Sequence, residues 1–229
     1  MNLFNFFKKN KNIIPKNVIP KTIPAKEDKA YSRELVVSVY REKVEWLVKR
    51  QEILGDREKI SAYVKSDRND FTFADKLPNI GRESHTYIYH IIKNYNNLAD
   101  FTTFVQGGPF FHFHGPDNPN LEFFNFVEQP VHDYNPLGDF AMTDCFGRPF
   151  SHWDVDLFPV WNRLFEGNMP HRFFANFGAQ FIVSKSVIQN RSLEFWQELY
   201  MMHDEIEYLP WALEIMWYYI FDPRYKSKI

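Results

Sequence analysis

Between Glu34 and Gln106, apolar runs alternate with amphipathic stretches in an order that few folds accommodate. LVVSVY (Leu35–Tyr40), apolar but for Ser38, reads as a buried strand. Val44, Leu47, Val48, Gln51 and Leu54 then recur at helical spacing until Gly55 stops them. KISAYVKS (Lys59–Ser66) reads as a second strand. Ser84–Tyr95 reads as a second helix with Ile88, Ile91, Ile92 and Tyr95 inward, and DFTTFVQ (Asp100–Gln106) as a third strand. Parallel strands need a crossover of a dozen or more residues between them, and a helix supplies one. The βαβαβ order therefore predicts an α/β protein with a mostly parallel, doubly wound sheet and helices on both faces.

The flanking segments set the domain organisation. Residues 1–33 carry Pro15, Pro20 and Pro24 among lysines and asparagines, a texture that forms no apolar stripe and is expected to be an extended or disordered, weakly basic leader. Residues 34–229 are expected to form one domain, since a chain of this size suffices for one sizeable core. Within it, residues 108–178 are rich in Pro, Gly, Asn and aromatics and lack clean periodicity outside a helix at Leu157–Phe165; they are expected to be a long irregular loop or lid. Beyond them, AQFIVSK (Ala179–Lys185) resumes as a strand. SLEFWQELYMMH (Ser192–His203) and LPWALEIMWYYIF (Leu209–Phe221) close the chain as helices.

Charge and cysteine content narrow the function classes. A net charge of −2 gives no basic field to attract a phosphate backbone, which argues against nucleic acid as a partner. A single cysteine, Cys145, rules out an intrachain disulfide and fits a reducing compartment. The opening MNLFNFFKKNKN has too short an apolar stub for a transmembrane segment and the wrong charge order for a signal peptide. A cytoplasmic location is expected, with peripheral membrane association left open.

Ligands of open α/β sheets bind beyond the carboxyl ends of the strands. Three polar segments fall there: Ser38-x-Tyr40-Arg41-Glu42, Lys65-Ser66-Asp67 and Gln106-Gly107-Gly108-Pro109. Asn79 to Glu83 precede the second helix, where Gly81 can turn the chain and Arg82 can meet an anion beside free N–H groups. Asn79 and Glu83 can equally serve only as helix caps. His112 and His114 in FHFH would share one face of an extended segment, as two metal-binding imidazoles do. Asp154 and Asp156 in HWDVD could hold a divalent cation against a diphosphate. Glu214, inside the apolar WALEIMW turn, is costly to bury unless it is paired or used.

The strings LPNIGRESHTYIYHIIKNYNNLADFTTFVQGGPF, VVSVYREKVEWL, FGAQFIVSKSVI and ALEIMWYYIF together resemble the family called domain of unknown function 3431, over roughly Glu34 to Phe221. The NIGRE-to-QGG block is the most specific part. The resemblance implies a layout like that of nucleotide-diphospho-sugar (GT-A-type) glycosyltransferases: an enzyme moving a sugar from a nucleotide-sugar donor to a carbohydrate or protein acceptor. In that reading Arg41, Asn79, Arg82 and Glu83 line the nucleotide diphosphate, and Gln106 and Gly107 line the donor sugar. Asp154 and Asp156 hold Mg²⁺ or Mn²⁺, Glu214 supplies the general base, and Asp156 is the other candidate catalytic residue. Such enzymes usually carry Asp-x-Asp after the central strand, whereas this chain has Gln106-Gly107-Gly108. Three routes stay open: metal held at Asp154 and Asp156, metal-independent phosphate binding through Arg82 and backbone N–H groups, or loss of activity. Two other classes compete, a metal-dependent hydrolase or oxygenase using His112, His114 and an Asp of HWDVD, and a non-catalytic sugar-binding protein on the same fold.

Overall fold

A computed structural model describes residues 31–68, 74–112, 132–138, 140–148 and 155–229. Their main sheet is built on β1 (Arg33–Val39), which pairs in parallel with β2 (Lys59–Val64) on one side and β4 (Phe101–Gln106) on the other. The short β3 (Asp75–Lys76) extends the parallel part beside β2. Helix α1 (Glu45–Leu54) makes the first crossover and α2 (Arg82–Asn94) lies in the second. Strand β1 is buried along almost its whole length, as a central parallel strand covered on both faces must be.

The period-2 alternation of the strands divides the core between those faces. Val36, Tyr63, Phe104, Phe181 and Val183 pack on one side with Tyr87, Ile88 and Ile91 of α2. They are joined there by residues of α5 (Leu193–Glu205) and α6 (Leu209–Phe221), among them Trp196 and Trp217. Leu35, Val37, Val39, Val64, Val105 and Ile182 point to the other side, where Val44, Trp46 and Leu47 of the α1 segment cover them. Helices thus lie on both faces, and the sheet is mostly parallel, as its pattern predicts.

Two features depart from the sequence-based expectation. The sheet order is β3-β2-β1-β4-β8-β5, and its far edge is antiparallel: β8 (Phe181–Ser184) runs against both β4 and β5 (Tyr134–Pro136). The stretch 108–178 is also not wholly irregular. Besides β5 it holds α3 (Leu157–Leu164) and a second, two-stranded antiparallel sheet of β6 (Phe140–Thr143) and β7 (Phe173–Asn176). β5, β6 and β7, of three or four residues each, are too short to display a period and lie in no apolar run like that of β8, so the sequence carries no signal for them. A one-turn helix, α4 (Lys185–Ile188), follows β8 with its N-cap Ser184 accepting from Val187 N. Among the described residues no helix is long and apolar enough to cross a membrane.

The strand order locates the crevice. The chain goes from β1 to β2 on one side, then returns past β1 to β4 on the other. The order therefore reverses between β1 and β4, and beyond their carboxyl ends lies the place where open α/β sheets bind ligands.

Candidate functional site

The loop after β1 turns on Glu42, whose Oε2 accepts from Tyr40 N at 2.7 Å and Arg41 N at 3.1 Å. The break after β4 is clamped against it. Gly107 N donates to Ser38 O at 2.8 Å, and Trp46 Nε1 donates to Gly107 O at 2.8 Å. A side chain at Gly107 would collide with this arrangement, since a Cβ there would lie 2.7 Å from Glu42 Oε2. Gln106 is tied inward: its Nε2 donates to Gly178 O at 3.0 Å, and its backbone N to Gln180 Oε1 at 3.2 Å. Gly178 N in turn donates to Glu214 Oε1 at 2.6 Å, which links the end of β4 to α6.

The start of α2 forms the second wall. Gly81 and Arg82 both adopt positive φ (62° and 46°), so the chain makes a sharp turn into the helix. A Cβ on Gly81 would stand 2.2 Å from His203 Cδ2, which explains glycine there on contact grounds as well. Lys65, after β2 and only 5% exposed, donates to Ile80 O and Arg82 O and so holds this turn. Burial lowers the Lys65 ammonium to about 8, against the opposing pull of Glu83. Glu83 is itself buried, and burial raises its carboxyl; Arg82 opposes this, while the Glu214 carboxylate adds to it. Arg82 stays more than half exposed, with Nε 3.6 Å from Glu83 Oε2 and its guanidinium 5.5 Å from the centre of the Trp211 ring.

Behind this wall α2 meets α5. Ser84 Oγ lies 2.9 Å from His203 Nε2 and 2.7 Å from Gly81 O, and His203 Nδ1 lies 3.1 Å from Tyr200 O. A carbonyl only accepts, so Nδ1 of His203 carries the proton. Burial lowers His203 to about 4, which keeps it neutral, and its Nε2 is then an acceptor. The single Ser84 proton is shared between that nitrogen and Gly81 O. His85 packs at 4.6 Å from Tyr200 and 5.4 Å from His203, ring centre to ring centre, and burial lowers it to about 3.

Of the residues singled out from the sequence, Arg82, Glu83 and Glu214 meet electrostatically, and Gln106 joins Glu214 through Gly178. Arg41 is exposed beside Gly107's loop, its guanidinium 4.9 Å from the Tyr40 ring centre. Asn79 is exposed, and Gly81, not Asn79, occupies the N-cap of α2, with no side-chain cap bond. Asp156 caps α3 by accepting from Phe158 N at 2.9 Å. Its electrostatic influence falls on Cys145 and Tyr208. His112 ends a 3₁₀ turn (Pro109–His112), while His114 and Asp154 lie outside the described residues. Among the described residues no group of three His, Cys, Asp or Glu could hold a metal ion. Lys65, Glu42, Trp211 and His203 are further members of the site. The first two are flagged in the sequence by their place after strands; His203, which reaches Ser84 from 119 residues away, has no local signal.

The fold defines a mixed α/β protein whose mostly parallel sheet reverses its strand order between β1 and β4. A family model described as "Protein of unknown function (DUF3431)" matches residues 35–129, the stretch that holds most of β1 and all of α1, β2, β3, α2 and β4. No curated protein matches the chain in sequence.

Proposed function

We propose that the chain is a glycosyltransferase-like enzyme that binds a nucleotide-sugar donor across the crevice between β1 and β4 and transfers its sugar to a hydroxyl acceptor. The observation that carries this reading is the gathering, beyond the carboxyl ends of strands where the sheet order reverses, of an exposed guanidinium and a pair of interacting carboxylates: Arg82, Glu83 and Glu214. Arg82, braced against Trp211, meets the diphosphate with its planar fork, and Arg41 lies at the other rim. Gln106 lines the floor. Burial favours the protonated form of Glu83, and a neutral neighbour lets Glu214 act as the base. Glu214 takes the proton from the acceptor hydroxyl as its oxygen bonds to the sugar's anomeric carbon. The nucleoside diphosphate leaves with the electron pair of the broken C–O bond.

Arg82 and Arg41 offer cations to the leaving diphosphate. Binding through Arg82 and backbone N–H groups is one route, and a divalent cation held by Asp154 and Asp156 is the other. A thermal-shift screen of uridine, guanosine and adenosine diphosphates and their sugar conjugates, with and without Mn²⁺, tests the reading. A ligand at about a hundred times its dissociation constant adds about 2.7 kcal/mol of stability. Stabilisation without Mn²⁺ supports metal-independent binding, stabilisation only with Mn²⁺ restores the metal route, and no shift with any ligand removes the proposed function.

A further inference from the structure

We infer that Glu42 recognises the ribose hydroxyls of the bound nucleotide, an inference that rests on the nucleotide-sugar reading above. The segment Gln106-Gly107-Gly108 carries no carboxylate, yet one stands there: Glu42 arrives from the neighbouring loop after β1. Its Oε2 would be 2.7 Å from a Cβ at Gly107, and its Cγ 3.5 Å from one at Gly108. The carboxylate of a chain-distant residue thus sits at the switch point itself.

Three features make it a recognition group instead of a surface side chain. It is held in place, because Oε2 takes the Tyr40 and Arg41 N–H groups while the Glu42 carbonyl accepts from the Arg68 guanidinium. A group fixed before binding loses little entropy when it engages a ligand. Its other oxygen, Oε1, accepts no hydrogen bond among the described residues, although the side chain is half-buried. A carboxylate is an acceptor that repels phosphate, so what it takes is a donor, and the donors of a nucleotide near its phosphates are the ribose hydroxyls. A divalent cation is the less suitable occupant, since no second and third ligand accompany Glu42 among the described residues. With Glu42 taking the ribose, the phosphates lie toward Arg82 and the start of α2, and the Arg41 and Arg68 cations lie beside Glu42 itself.

The test is a titration of wild type and Glu42→Gln with each of the three nucleoside diphosphates and its 2′-deoxy and 3′-deoxy counterparts. Glutamine keeps an oxygen for the Tyr40 and Arg41 N–H groups, so the loop retains its shape; a melting curve of the variant checks this. The expected result is a wild-type preference of about tenfold for the ribonucleotide over at least one deoxy form, the size of one hydrogen bond to a charged group. In Glu42→Gln that preference collapses while the deoxy form binds as before. Equal preference in both proteins, no preference in the wild type, or equal loss of all the ligands in the variant overturns the role of Glu42 and leaves the nucleotide site standing. Absence of binding by any nucleotide removes the nucleotide site and this inference together.

Discussion

Lys65 shows how much a single side chain carries here. It is buried, it holds the carbonyls of Ile80 and Arg82, and it faces Glu83, His85 and His203. Its folded value of about 8 lies below the ordinary 10.5. Between those limits the unfolded chain binds the extra proton, so stability rises with pH across the window; below about 8 the burial cost is present in full. Denaturant titrations at pH 8 and pH 10 should show wild type gaining stability relative to Lys65→Met, by at most about 1.4 kcal/mol per pH unit. Parallel pH profiles for the two proteins would mean that the ammonium is solvated. At this scale the sequence was informative only where position substitutes for pattern. Lys65 and Glu42 stand out because they follow strands, whereas the approach of Glu214 on α6 to the buried Glu83, 131 residues apart in the chain, has no local signal.

The element that decides the site's shape is the entry to α2. Its helical period was legible in Ile88 and Ile91, but its first turn was not, because Gly81 and Arg82 begin it with positive φ and no capping side chain. Local propensity places caps at Asn79 or Glu83; the tertiary contact with α5 wins, because the His203 ring occupies the space that a side chain at position 81 would need. Gly81→Ala should therefore be destabilising by about 2 kcal/mol or more, combining the strain of φ 62° with a Cβ 2.2 Å from His203 Cδ2. Adding His203→Ala should restore part of the loss by removing the His203 clash while the strain and the 2.7 Å approach to His85 Cβ stay, and a double-mutant cycle measures that part. Additive losses would show that the two positions do not touch. Asp156 carries the opposite lesson: an Asp-x-Asp string suggests metal, and its second carboxylate sits at the N-cap of α3, where Asp is favoured for the backbone bond alone.

At the scale of the whole molecule, the parallel half of the sheet apart from the two-residue β3 is legible, since β1, β2, β4 and the helices between them are long enough to express their periods. That half is also the part matched by the family model, residues 35–129. The antiparallel edge was not legible. Strand β8 has the same apolar run in either direction, and only the chain's return through β7 and the turn at Gly178 and Ala179 (φ 81° and 48°) sets it against β4. The β6–β7 sheet is likewise a consequence of packing, since α6 covers β7 through Tyr219, whose hydroxyl accepts from Phe174 N at 3.0 Å. In this architecture the loops after β1 and β4 are clamped together at Gly107, and the α2 entry is held by Lys65 and packs against α5 and α6 through His203 and Trp211. The proposed function requires that Arg82 contact the nucleoside diphosphate. Isothermal titration of wild type and Arg82→Lys with the best nucleotide from the thermal-shift screen measures that contact. Lysine keeps the charge and loses the planar fork, so the expected result is saturable binding by wild type, weakened by about 1–3 kcal/mol in the variant, with the melting temperature nearly unchanged. Equal affinities in the two proteins would contradict it, leaving Arg82 as the exposed partner of Glu83 and Trp211 alone.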